Sequence, residues 1–219
     1  MKESLSLLSN DYHIDGHVSP YSFEIQVISD VTCRHKRIGY GKWRNIMHKA
    51  IVIVDMQNDF IDGALGTQEA QEMLPRMVAK LSAARAEGTA LIFVMDTHGV
   101  DYLETQEGKR LPVEHGIRGT VGWQIADVLQ PFVREAAAVI EKPTFGATTL
   151  PAALADYDEI ELVGLCTDIC VISNALLVKA FYPEKLISVD ASCCAGVTPE
   201  SHANALAAMR MCQVEIHSS

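Results

Sequence analysis

From Lys49 onward the chain alternates short β-branched runs with segments carrying helix punctuation, and this alternation constrains the fold more than any other feature. Six runs read as strands: Lys49 to Asp55 (KAIVIVD), Thr89 to Asp96 (TALIFVMD), Ala137 to Lys142, Glu159 to Leu165, Lys185 to Asp190 and Gln213 to His217. The first two are apolar almost throughout, the pattern of strands buried on both faces of a parallel sheet. Between the strands, helices are expected over Leu74 to Glu87, with Pro75 near the start and Gly88 as a stop. Further helices are expected over Gly122 to Arg134, Thr149 to Tyr157, Asp168 to Phe181, and from Thr198-Pro199-Glu200 to Met211, and a long polar loop over Thr97 to Thr120. Such alternation folds as an α/β three-layer sandwich, a six-stranded parallel sheet flanked by helices, whose reactive groups gather at the carboxyl ends of the strands.

Composition removes several function classes. Of 219 residues 48% are hydrophobic, too many for a disordered chain. Runs such as Ala50 to Val54 are far shorter than the roughly 20 residues a membrane helix needs, so no membrane partner is expected. Glu3, Asp11, Asp15 and Glu24 interrupt the first 30 residues, which rules against a secretory signal and points to the cytoplasm. There the six cysteines, Cys33, Cys166, Cys170, Cys193, Cys194 and Cys212, are expected as reduced thiols. A formal charge of −10 opposes nucleic-acid binding. The exception is local: Arg34, Lys36, Arg37, Lys42 and Arg44 fall in residues 1–46, read as an N-terminal extension ahead of the domain at 47–219. Met47, just before the first strand, suggests that the extension stems from a start assigned too far upstream. Gly39-Tyr40-Gly41 follows no strand and opens no nucleotide loop.

The strand ends hold the chemistry. The first strand ends in Asp55, the third in Lys142, and the fourth runs through Gly164-Leu165-Cys166-Thr167-Asp168-Ile169-Cys170 toward a helix. In a parallel sheet these places converge on one crevice. A carboxylate, an ammonium and a thiol there form a nucleophile set, with Lys142 favouring a thiolate on Cys170 and Asp55 taking its proton.

These segments, with Asp55-Met56-Gln57-Asn58-Asp59-Phe60, resemble the motifs of the isochorismatase-like cysteine hydrolases, of which nicotinamidases are metal-dependent members. The resemblance spans roughly residues 48–217 and has all three motifs in order. It implies a catalytic Asp55, Lys142 and Cys170, a cis peptide at Leu165–Cys166, and an oxyanion hole from the N–H groups of Cys166 and Cys170.

The loop after the second strand offers a second constellation. Asp96-Thr97-His98 puts a carboxylate and an imidazole within reach of one ion, and His115 can return to close the site. The resemblance implies a nicotinamidase-like metal site at Asp96, His98 and His115, holding zinc, iron or manganese, with zinc the leading choice. Glu107 is the expected fourth ligand, ahead of Glu104 by its distance from His115. Leu111 and Pro112 stand where nicotinamidases commonly carry an aromatic residue, Gly116 where a Cys is usual, and Ile169 where an aromatic or His often precedes the nucleophile. The pocket is assigned to Phe60, Leu111, Trp123 and Ile169.

The expected activity is hydrolysis of a small amide, nicotinamide to nicotinate plus ammonia first, through a thioester on Cys170. Alternatives are another small amide or carbamoyl compound, isochorismatase-type hydrolysis, and a non-catalytic binding or scaffold protein on the same fold. The partner is a small-molecule amide, and a homo-oligomer is expected.

Overall fold

Alternate residues of the central strands pack on opposite faces of one sheet, and this sorts the helices into two layers. The computed structural model describes residues 48 to 218, so the expectations for residues 1–46, including Cys33 and Gly39-Tyr40-Gly41, lie outside the described residues. In chain order the elements are β1 (Lys49–Val54), α1 (Asn58–Ile61), α2 (Gln68–Glu87), β2 (Ala90–Asp96), α3 (Gln106–Arg110), α4 (Gln130–Val133), β3 (Ala138–Lys142) and α5 (Leu150–Ala153). There follow β4 (Glu159–Leu165), a wide π turn (Thr167–Val171), α6 (Ile172–Phe181), β5 (Leu186–Ala195), α7 (Pro199–Met211) and β6 (Glu215–His217). Short 3-10 turns at Tyr102–Glu104 and Asp127–Leu129 complete the list.

All neighbouring strands are parallel, in the order β3-β2-β1-β4-β5-β6. Ile51 and Ile53 of β1 point with Leu91, Phe93, Val163 and Leu165 into a core closed by α1, α2 and α4. Ala50, Val52 and Val54 point the other way, with Ile92, Val94, Ile160 and Leu162, under α5, α6 and α7. Burying each such branched side chain contributes about 1.5–3 kcal/mol, so a slip of one residue in register would forfeit both cores at once. Chain order runs outward from β1 on one side and from β4 on the other. The crevice between their carboxyl ends is therefore the switch point at which open α/β sheets take their ligands.

Several elements differ from the sequence reading. Helix α2 begins at Gln68, well before Leu74, because Thr67 caps it by accepting the Ala70 N–H at 3.1 Å; Pro75 sits inside it. The helix expected over Gly122 to Arg134 shrinks to its last residues. The carbonyls of Gly122 and Gln124 accept N–H groups of Asp59 and Asn58, so they cannot serve a helix of their own. Strand β5 continues past Asp190 to Ala195 around an irregularity in its pairing with β4, where Asp190 Oδ1 accepts the Ser192 N–H at 3.0 Å and hydroxyl at 2.7 Å. Among the described residues no helix is long and apolar enough to cross a membrane.

Candidate active site

Four strand ends meet at the switch point. Asp55 leaves β1 with φ +49°, a left-handed conformation that Asp tolerates better than most residues, and its N–H donates to the Val94 carbonyl at 2.9 Å. Gly164 has φ +118°, and a Cβ there would stand 2.1 Å from the Val54 carbonyl oxygen, so only glycine lets β4 lie this close to β1. The chain then enters the π turn, in which the Cys166 carbonyl accepts the N–H groups of Ile169 (3.1 Å) and Val171 (3.0 Å). The expected cis peptide at Leu165–Cys166 is not present; every described peptide bond is trans. Gly164 and the wide turn together bring the chain round to Cys170.

Lys142 is the hub. Its fully buried ammonium lies 2.9 Å from Asp55 Oδ2 and 3.0 Å from Asp96 Oδ1, and donates to Cys170 Sγ at 3.4 Å. Burial alone would lower the Lys142 pKa, but the charges of Asp55, Cys170 and Asp96 outweigh it and hold the ammonium charged well above its ordinary range. Burial raises the Asp55 carboxyl to about 6, against the opposing pull of Lys142. Burial, with Asp55 behind it, also pushes the Cys170 thiol up despite Lys142. The sequence reading had Lys142 stabilise a thiolate on Cys170 as Asp55 takes the proton. In the structure desolvation outweighs Lys142, so the Cys170 thiol is pushed up rather than down, and beside it stands the Asp55 carboxyl, itself raised to about 6 by burial. Cys166 is likewise pushed up to about 12, chiefly by burial.

The second constellation is joined to the first through Asp96, whose Oδ1 meets Lys142 while Oδ2 lies 3.0 Å from His98 Nε2 and 3.6 Å from His115 Nε2. Glu107 Oε1 completes the group at 3.9 Å from His98 Nε2 and 3.7 Å from His115 Nε2. The four ligand atoms all lie within 4.8 Å of one another, and since four ligands about 2.1 Å from one ion are separated by roughly 3.0–3.4 Å, the group would draw inward onto an ion. The Nδ1 of His115 donates to the Val113 carbonyl at 2.8 Å, which leaves Nε2 free to ligate. Burial opposes a charge on His98, but its hydrogen bond to Asp96 and the two carboxylates draw it upward, the field of a site that attracts a cation. Glu107, not Glu104, joins this group. Tyr102, fully buried, packs its ring 4.8 Å from His98, tilted against it, and 4.9 Å from His115, edge-on. Gln57 fixes Asp96 from behind, taking its N–H at 2.7 Å and donating to its carbonyl at 2.9 Å.

A cavity of about 270 Å³ lies over Cys170, lined by Phe60, Leu65, Leu111, Phe145, Ile169 and Val197, with Asp96, Glu107 and His115 on one side. It adjoins a wider one of about 740 Å³ with which it shares Glu107, Leu111, Phe145 and Ile169. Trp123, expected as a wall, is not one: its indole N–H donates to Thr97 Oγ1 at 2.9 Å and its carbonyl accepts from Gln57, which turns the ring away. Sequence reasoning missed Phe145 and Val197. Both lie just past the carboxyl ends of strands, three residues after Lys142 and two after Ala195, where the topology rule would have pointed to them.

Residues 49–219 match the Isochorismatase domain model. An uncharacterised isochorismatase family protein of Bacillus subtilis (strain 168) is 30% identical over 173 residues, covering 73% of this chain and 93% of its own. A probable inactive nicotinamidase of Arabidopsis thaliana is 28% identical over 173 residues, covering 74% and 86% respectively. Among solved structures, nicotinamidase PncA from Bacillus subtilis superposes with a TM-score of 0.68 at 28% identity, covering 79% of this chain and all of that one. The chain belongs to the isochorismatase family.

Proposed function

We propose that this family hydrolase is a cysteine amidohydrolase of small amides, with nicotinamide to nicotinate as the leading reaction. The observation that carries the reading is the contact of one buried ammonium, Lys142, with a carboxylate and a thiol on the floor of a small apolar cavity. Buried charges can be purely structural, as at Lys80, Glu161 and Asp190, so what favours an enzyme over a scaffold is the thiol held beside the pair on the cavity floor.

In this reading Asp55 accepts the Cys170 proton as sulfur attacks the amide carbonyl, and Lys142 keeps both charged partners in place. The N–H groups of Cys166 and Cys170 receive the developing oxyanion. Asp55 returns its proton to the nitrogen, the C–N bond breaks and ammonia leaves a thioester. Water then attacks the thioester carbonyl with Asp55 as base, releasing the carboxylic acid and restoring the thiol. Asp96, His98, Glu107 and His115 would hold a divalent ion, zinc, iron or manganese, which supplies positive charge for orienting a polar atom of the substrate.

Ammonia release from nicotinamide, pyrazinamide and carbamoyl compounds, with and without chelator, tests the reading. Release from nicotinamide that falls on chelation supports it. Release from carbamoyl compounds alone, unaffected by chelator, replaces it with the metal-free amidase alternative. No release from any amide removes it.

A further inference from the structure

Asn174 stands in the first turn of α6, is fully buried, and has no part in the chemistry above. Its side chain makes three hydrogen bonds, all to backbone. Oδ1 accepts the Ala147 N–H at 2.9 Å, and Nδ2 donates to the carbonyls of Phe145 at 3.1 Å and Cys170 at 2.8 Å. The carboxamide thus joins two segments distant in sequence. One is the π turn that presents Cys170. The other is the loop after β3, which carries Phe145 from the strand that ends in Lys142.

Phe145 is 44% exposed although it lines both cavities, so packing alone does not fix its ring. The bonds from Asn174 to the backbone on either side of Gly146 supply the restraint that packing lacks. A buried amide with both ends engaged leaves no slack, because breaking any one bond strands a polar group away from water.

We propose that Asn174 is a positioning residue with two separable duties: it fixes the Cys170 turn through the Cys170 carbonyl, and the Phe145 wall of the substrate cavity through the Phe145 and Ala147 backbone. The first duty governs how the sulfur meets the carbonyl carbon. The second governs how tightly the acyl part of the substrate is held. The proposal rests on the reading of Cys170 as nucleophile.

Two substitutions separate the duties. A threonine hydroxyl on a helix can bond the carbonyl four residues back, so Asn174→Thr keeps a bond to Cys170 while losing both bonds to the loop. Asn174→Ala loses all three. With the amide that wild type turns over best, Asn174→Thr should raise KM roughly tenfold, the worth of about one net hydrogen bond, with kcat within about twofold. Asn174→Ala should raise KM similarly and also lower kcat at least tenfold. A residue that only supports the fold would lower the active fraction, reducing kcat in both variants at unchanged KM, and that result overturns the proposal. So do two variants with the same kinetics. If Asn174→Ala does not fold, the threonine variant against wild type still decides, since raised KM at near-normal kcat is the signature. Amide hydrogen exchange is read in parallel. Exchange at Ala147 should speed up in both variants, and exchange at Val171 only in the alanine variant. Unchanged protection at Ala147 counts against the proposal even if wild type hydrolyses no amide, in which case the amidase reading fails separately.

Discussion

Replacing Lys142 by Met keeps the bulk of the hub and deletes its charge. Each of its ion pairs, at 2.9 and 3.0 Å, corresponds to a gross attraction of roughly 6 kcal/mol at an effective dielectric of about 20. Most of that offsets desolvation, and breaking a buried pair typically costs about 3–5 kcal/mol net. In a chain of 219 residues this lowers Tm by roughly 6–20 °C. The second consequence is a shift in the base. Asp55 must be ionised to accept the thiol proton, and burial already places it at about 6 with Lys142 pulling it down. Wild-type kcat/KM therefore falls as pH drops through about 6 and levels off above it. Without the ammonium Asp55 moves up, and loss of even a quarter of the gross attraction is about one pH unit. The acid limb of Lys142→Met should thus lie at about pH 7 or higher, with a plateau roughly a hundredfold to a thousandfold below wild type. Ammonia release across the pH range at constant ionic strength, with thermal melts on the same samples, measures both. An acid limb that stays where wild type has it, or a Tm within about 2 °C, refutes the hub.

Cys170→Ala should keep the wild-type fold and lose turnover to below about a hundredth; steady-state assays with circular dichroism check this, and retained activity would mean another nucleophile. Elemental analysis of never-chelated protein should find one divalent ion per chain, and His98→Ala should lose it, raising KM more than it lowers kcat. Because Asp96 is shared between the ion group and Lys142, chelation should also lower Tm, which a calorimetric scan reads directly. Lys80→Met should lower Tm by less than Lys142→Met does, because Lys80 lies 3.0 Å from Glu161 and 2.7 Å from Asp190, both buried, but Lys49 at 3.3 Å and His217 at 2.9 Å stay on Glu161; a fall as large as that of Lys142→Met would show that Lys80 alone sustains those carboxylates.

The sheet was legible because β-branched runs buried on both faces leave an unmistakable apolar signature, and strand β4 was bounded correctly at both ends. Asp55, Asp96 and Lys142 were legible for a related reason, since a charge closing an apolar strand stands out. The helices were less so. The start of α2 depends on a cap at Thr67, ahead of a proline that advertises a later start, and the short α4 depends on carbonyls that a distant segment engages. Trp123 shows the limit for side chains: an aromatic near a site reads as a wall, yet its N–H found Thr97 and its ring stayed outside the cavity. The upward push on the Cys170 thiol was out of reach altogether. It follows from how deeply Asp55, Lys142 and the thiol are buried together, and spacing along a chain carries no measure of that depth.

The central claim is that Cys170 carries the acyl group during turnover. Wild-type protein mixed with excess amide substrate, quenched in acid within the first turnovers and digested, should yield the Cys170 peptide heavier by the acyl group, and Cys170→Ala protein should yield no acylated peptide. Ammonia released in the same quench without any acyl adduct at Cys170, or an adduct on Cys166 in its place, would contradict the account.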